Sequence, residues 1–367
     1  MTVHRLAVER TRSILDDPQG AHNRLHPGVP PVLTIDPGDE LEVECRDGMD
    51  GELLRAGSSA ALAHIGLDAN HSLTGPVVVR GAQPGDVLAV DILEVQPDPE
   101  GATAVIPGFG LLAGYFDAPF LVRWRIADGV ARSDDLPGIA IRARPFLGAI
   151  AVAPSAPLLA QAREREAALA RTGAMVLGPE PNAAVPGGAI GAEGLRTIPP
   201  RENGGNLDIR QLTAGSLLLL PVHVPGALLS LGDIHVAQGD GESCGTAIEA
   251  SGIARVRVDL RAPGSGGWTP RFPAFEHTEE PAPRPRRWFA TTGIPLTDDG
   301  ENAGLDLRLA ARRALEELVG WLVAERGLRA EQAYVLASVA ADLRISQAVN
   351  VPNGMVSALL PLDVFEG

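Results

Sequence analysis

Two Pro-Gly-Asp turns, Pro37-Gly38-Asp39 and Pro84-Gly85-Asp86, each sit between short runs of Val, Leu and Ile. Reversals this close together leave little room for long helices, so much of the chain must be built from short strands. Val32, Thr34 and Ile35 lead into the first turn. Leu41, Val43 and Cys45 then alternate with Glu40, Glu42 and Glu44, the period-two pattern of a strand with one wet face. Val77–Val79 and Val87–Val95 flank the second turn and read as a hairpin closed at Gln83-Pro84-Gly85-Asp86. With 42 glycines and 31 prolines in 367 residues, the same punctuation recurs throughout.

Further strands are expected over Leu121–Ile126, Gly138–Pro145, Leu217–Val222 and Ala227–Leu231, with Ile253–Leu260 as an edge or one-sided strand. Residues 157–171 suit a helix, being rich in Ala, Leu and charged groups without glycine. From Leu305 to Arg326, Leu307, Ala311, Leu315, Leu318 and Leu322 recur at helical spacing, and Gly327 is placed to end that helix. A second apolar segment, Ala333–Ala341, follows, and residues 262–287 read as a Pro- and Arg-rich surface crossing. The expected class is α+β, β-rich, with antiparallel sheets and late helices. We expect a single unit over 1–367, β-rich through 1–260, with an α+β portion at about 288–367 packed on it.

The net charge of −15 argues against nucleic acid as a partner and against anionic membranes. No apolar run reaches membrane-spanning length, and the first residues, MTVHRLAVERTRSILDD, hold no signal-peptide core. Two cysteines, Cys45 and Cys244, make no disulfide framework, so a reducing cytoplasm is the expected compartment.

Lysine is absent, and all 31 basic residues are arginine. That removes Schiff-base chemistry and any Cys-Glu-Lys arrangement, and serine chemistry of the α/β-hydrolase kind is not expected either. The densest polar stretch is Leu231–Glu249, LGDIHVAQGDGESCGTAIE, which sets Asp233, His235, Asp240, Glu242 and Cys244 among small residues. If the stretch is extended, Asp233 and His235 share a face, and so do Asp240 and Glu242. Histidine with carboxylates at strand ends suits zinc or a similar divalent ion, whereas a Gly- and Asp-rich turn between strands is the simpler alternative. Cys244 fits a small buried hydrophobe as well as a nucleophile.

Four blocks carry a resemblance: NHSLTGPVVVRGAQPGDVLAV at 70–90, RPFLGAIAVAPS at 144–155, the tract from ENGGNLDIRQL to SCGTAIE at 202–249, and SVAADLRISQAVNVPNG at 338–354. In this order, with the GGN-x-D and GD-x-H-x-x-x-GDGE patterns, the sequence resembles the acetamidase/formamidase family. The resemblance implies a β-rich α+β fold, hydrolysis of carbon–nitrogen bonds other than peptide bonds in a small linear amide, and a homo-oligomer. It directs attention to His71, Asn206, Asp208, Asp233, His235, Asp240 and Glu242. On this basis His71, Asp233 and His235 would hold a divalent metal, with zinc the leading candidate and calcium the other. Glu242 would be the general base, and Asp240 a second ligand or the group that orients His235. Asn206 and the backbone at Gly205 would face the oxyanion, Asp208 the substrate, and Glu52 the border of the pocket. Glu52 stands where the family more often has Gln, which keeps open a larger or cyclic amide (a lactam) as substrate. A non-catalytic amide- or metal-binding homologue is the remaining alternative.

Overall fold

The computed structural model describes residues 1–265, 267–278 and 287–366. One sheet has six strands, in the order Val3–Leu6, Asp39–Cys45, Gly252–Arg261, Val87–Pro97, Leu217–Pro221 and Ala274–Glu276. A larger sheet is built around Phe146–Ala151, Leu229–His235 and Leu73–Val79, and Glu249–Ala250 extends it toward Glu100–Val105 and Phe120–Ala127. Most pairings are antiparallel, but Val3–Leu6 runs parallel to Asp39–Cys45, and Leu33–Ile35 parallel to Leu73–Val79. Leu41, Val43, Val90 and Val256 of the first sheet close on Leu147, Ile150, Leu231 and Ile234 of the second. The β-rich α+β class read from the sequence is the one observed.

The hairpin expected over Val77–Val95 is not formed. Its turn is present, with Asp86 N–H donating to Gln83 O at 3.1 Å. However, Leu73–Val79 pairs with Leu229–His235 and Leu33–Ile35, while Val87–Pro97 pairs with Gly252–Arg261 and Leu217–Pro221. The turn therefore passes the chain from one sheet to the other. A turn motif sets a reversal, but two strands apolar along most of their length can each find other neighbours. Gly252–Arg261 is one-sided but central rather than an edge. Its Arg255 and Arg257 meet Glu40 at 2.5 Å and Asp91 at 2.7 Å across the sheet, so the polar face is a cross-strand ion-pair ladder.

The long helix spans Leu307–Arg326. The Asp306 carboxylate caps its start by accepting from Leu309 N–H at 3.0 Å, and Gly327 ends it at a φ of 65°. Leu315, Leu318 and Leu322 pack with Tyr334 and Leu336 of the next helix, Ala330–Ala340, against Trp124, Val236 and Ile248 of the large sheet and its loops. Tyr334 reaches furthest in. Its hydroxyl accepts from Leu112 N–H at 2.9 Å and donates to Ser243 O at 2.5 Å, tying the 108–116 loop to the turn that follows His235. The surface crossing expected at 262–287 lies partly outside the described residues; within them it includes the short strand Ala274–Glu276.

Candidate active site

Every residue of Leu229–His235 is buried. Regular alternation would place Leu231, Asp233 and His235 on one face, yet Leu231 and Ile234 both enter the core between the sheets. The neighbouring strand does the same with Leu147 and Ile150. The change of face falls between the rungs Leu147–Ile234 and Ala149–Gly232, where Asp233, with a φ of 61°, donates its N–H to Arg46 O instead of joining the ladder. A left-handed aspartate costs on the order of 1 kcal/mol or more, and such strain is characteristic of functional positions. Asp208 and Glu242 are left-handed too, at 49° and 42°.

Asp233 and His235 thus converge, with His235 Nε2 3.3 Å from Asp233 Oδ1. Glu249 is the cross-strand partner of His235, and its Oε2 lies 3.2 Å from the same Nε2. Asn206 Nδ2 donates to Asp208 Oδ2 at 2.7 Å, and Asp208 Oδ1 lies 3.9 Å from His235 Nδ1. His71 closes the far side, its backbone oxygen accepting from Thr197 Oγ1 at 3.0 Å. Two glycines make the convergence possible. A β-carbon on Gly48 would collide with Asp233 Oδ1 and His71 Cδ2, and one on Gly148 would lie 2.6 Å from Asp233 Oδ2.

His235 Nδ1–H donates to Gln238 Oε1 at 2.8 Å, and Gln238 Nε2 donates to Asp208 O at 2.9 Å. With Nδ1–H held by Gln238, Nε2 faces two carboxylates, which favour positive charge at that point, whether the proton of an imidazolium or a bound cation. His71 Nδ1, Asn206 Oδ1, Asp208 Oδ1, both oxygens of Asp233 and Glu249 Oε2 are buried without a hydrogen bond. Orphaned polar atoms this concentrated are costly unless something binds them. Ligands at about 2.0–2.1 Å around a tetrahedral ion stand roughly 3.3 Å from one another, close to the separations found around Nε2. Asp208, Asp233 and His235, and likewise His235, Glu242 and Glu249, each bring ligand atoms within 4.8 Å of one another, so the cluster could hold a metal ion.

The charges are strongly coupled. Burial alone would raise the Asp233 carboxyl, but the His235 and His71 imidazoles overcome it and hold the group below the usual carboxylate range. Burial would strip His235 of its proton, yet Glu249 and Asp233 raise it well above an ordinary imidazole. Glu242 is pushed well up by burial and by Asp208 beside it. Burial also pushes Asp208 up to about 7, against the pull of His235. Two neighbouring buried carboxyls that both rise in this way favour the uptake of a proton.

The structure brings together His71, Asn206, Asp208, Asp233, His235 and Glu242, all singled out in the sequence. It does not bring Asp240 to them. Asp240 Oδ1 accepts from Gln211 Nε2 at 3.1 Å and its N–H donates to Asp342, while Gln238 occupies the position that orients His235. Glu52 opens a short helix, Glu52–Ala56, and does not line the cavity over the cluster. Around Gly205, the Gly204 and Asn206 amides are engaged by Arg201 O and Thr197 O. Sequence reasoning passed over Glu249, Gln238, Gly48 and Gly148. For Glu249 a signal existed, since it is the first acid after the apolar return of the glycine-rich turn. One serine-elbow spacing does occur, Gly241-Glu242-Ser243-Cys244-Gly245. It lies in consecutive turns with no helix after it, and Ser243 Oγ has no hydrogen-bond partner, so no nucleophile is built there. Cys244 is buried with its thiol pushed up by burial, as a structural cysteine should be.

A cavity of about 50 Å³ opens on the cluster. Met49, Leu67, Ile106, Phe109 and Ile198 form its apolar wall, facing His71, Asn206, His235, Glu242 and Glu249. Phe109 packs so closely over Gly245 that a β-carbon there would collide with the ring.

Residues 7–367 match the model of the acetamidase/formamidase family. An acetamidase of Mycolicibacterium smegmatis is 34% identical over 365 residues, covering 90% of this chain and 88% of that protein. A formamidase of Methylophilus methylotrophus is 33% identical, covering 94% and 89%. Among solved structures, a gamma lactamase from Delftia acidovorans superposes with a TM-score of 0.93 at 31% identity, covering all of this chain and 94% of its own. An acetamidase from Bacillus halodurans gives 0.57 at 25% identity, with 98% of each chain covered. The chain belongs to the acetamidase/formamidase family, hydrolases that act on carbon–nitrogen bonds.

Proposed function

We propose that this protein hydrolyses a small linear amide, formamide or acetamide, to a carboxylate and ammonia. The observation that carries the reading is the size and make-up of the cavity. About 50 Å³ holds three to five water-sized groups at roughly 10–15 Å³ each, the size of a three- or four-atom amide. His71, Asp233, His235 and Glu249 would hold a divalent ion, for which the mixed nitrogen and oxygen donors favour zinc over calcium. When bound, such an ion supplies Lewis acidity, polarising a carbonyl and acidifying water. The protein's own groups do the rest. Burial and Asp208 raise Glu242, but a cation held beside it would keep it as the carboxylate. That carboxylate would then accept the proton of the attacking water and deliver it to the departing nitrogen. Asn206 Nδ2, with one hydrogen on Asp208, offers the other to the amide oxygen as charge develops there. Asp208 accepts from the amide N–H, and the apolar wall from Met49 to Ile198 limits substrate length and excludes bulk water.

The test is Glu242→Gln together with metal removal. Ammonia release should fall to background in the variant while its thermal transition is unchanged, and the wild type stripped by a chelator should recover only when a divalent ion is returned. Wild-type turnover in Glu242→Gln removes that residue from the chemistry. Full activity in metal-free protein removes the ion.

A second reading, a cyclic amide, is favoured by the TM-score of 0.93 with a gamma lactamase. Ring opening releases no ammonia, so the amino-acid product must be followed directly in any lactam assay. We also propose that the chain self-associates. Ile345, Val349 and Val351 are 62%, 75% and 78% exposed close together in sequence, an apolar surface of the kind that subunit contacts cover.

A further inference from the structure

Beyond Gln238, which lines the active-site side through His235, lies a second cavity of about 40 Å³, lined by Arg142, Arg144, Arg210, Gln238, Trp288 and Val364 among others, with no carboxylate among its described lining residues. Arg210 is engaged by Asp342, which also takes Arg344 at 3.1 Å. Among the described residues, Arg142 and Arg144 make no side-chain hydrogen bond or ion pair. In a chain with a charge of −15, many other arginines have a carboxylate: Arg46 has Asp50, Arg201 has Glu166 and Arg255 has Glu40. Arginines lining one cavity favour an anion between them.

We propose that this cavity binds a small carboxylate of the size of formate or acetate. Guanidinium forks match a carboxylate with paired N–H···O bonds, and the volume admits three or four non-hydrogen atoms at roughly 10–15 Å³ each. Trp288 and Val364 supply an apolar wall for a methyl group. Binding itself needs no catalysis. Its consequence rests on the amide-hydrolysis reading, because a carboxylate is then the product. Gln238 is common to this cavity and to the cluster, where it accepts from His235 Nδ1–H and donates to Asp208 O. An anion beside Arg144 competes for the Gln238 amide hydrogens and so loosens the orientation of His235. The second cavity is thereby a product-sensing site that lowers kcat without raising KM.

The test uses the whole metal-loaded protein with acetate as probe. Calorimetry should show acetate binding that weakens roughly tenfold in Arg142→Gln/Arg144→Gln, the loss expected for a charge-assisted contact. Kinetically, acetate inhibition of the wild type should include a fall in kcat that disappears in the double variant, leaving only a competitive effect on KM. Arg144→Lys keeps the charge without the fork and should fall between them. Arg142→Gln alone, at an exposed side chain, serves if the double variant does not fold. Unchanged acetate binding in the folded variants, or purely competitive inhibition of the wild type, overturns the proposal. If no amide is turned over, the calorimetry still decides the site, so failure of the amidase reading is told apart from failure of this one.

Discussion

Gly148 lies against the Asp233 side chain, and a β-carbon on it would lie 2.6 Å from Asp233 Oδ2 and 3.0 Å from both Asp208 Oδ1 and His235 Cε1. The absent side chain is the space in which three potential ligands meet. Gly148→Ala should therefore cost about 1–3 kcal/mol of stability through overpacking. It should also lower kcat/KM roughly 100-fold by displacing those groups. Urea unfolding and ammonia release measure the two effects. A variant that is destabilised but fully active would show that the convergence is structural.

Glu249 and Asp240 exchange the importance that the sequence assigned them. Glu249→Gln should reduce retained metal and kcat by at least tenfold, because it removes a charge 3.2 Å from His235 Nε2. Asp240→Asn should stay within about twofold of wild type, a change too small to reflect a lost ligand. Metal content by mass spectrometry on dialysed protein, read beside the rate, separates them. An inactive, well-folded Asp240→Asn protein would return that residue to the site.

Phe109 sets the length of the substrate. It lies between Gly108 and Gly110 and closes the apolar wall over Gly245. Phe109→Ala should shift kcat/KM toward propionamide and butyramide relative to formamide by roughly 10-fold or more, the scale of one or two methylenes in a hydrophobic pocket. An unaltered ranking across the series would mean that the ring does not limit the pocket.

His22 predicts an acid limb in stability. It is buried between Arg24 O at 2.9 Å and Ser230 Oγ at 2.8 Å, and burial lowers it from the usual 6.5 to about 4. The folded state resists the proton more than the unfolded state does. Stability is therefore full above about pH 6.5 and falls as the pH drops toward 4, by roughly 1.4 kcal/mol per unit and about 3 kcal/mol in all. Unfolding curves at pH 7 and pH 4.5 for wild type and His22→Gln should converge at the lower pH. Parallel curves would assign the acid limb to other groups.

The helices were legible because their signals are local. Asp306, the leucine spacing and Gly327 all lie within the segment they define. Strands were legible as segments but not as partners, which is why a correct turn at Gln83–Asp86 suggested a hairpin that does not exist. In the site, His71, Asp233, His235 and Glu242 could be picked out as types of chemistry in recognisable blocks. Glu249 was marked only as the first acid after the glycine-rich turn, because its importance comes from standing across the ladder from His235, and pairing is not written in spacing. Gly48 and Gly148 act through the side chains they lack, which only three-dimensional contacts reveal. Asp240 misled because alternation was carried past His235 into a stretch that is turn rather than strand.

The Tyr334 hydroxyl bridging Leu112 and Ser243 has a bearing on how the protein is made. Synthesis runs from the N-terminus, so the acids and both histidines of the cluster leave the ribosome well before the helix that carries Tyr334. Until Ala330–Ala340 docks, the loop bearing Phe109 and the turn bearing Glu242 lack their shared brace. A nascent chain at that stage holds a complete set of ligands in an unfinished pocket. Because its pairings link distant parts of the chain, their formation is slow. Competence should arrive in one late step, and a chain stalled before residue 330 would have the ligands but not the enzyme.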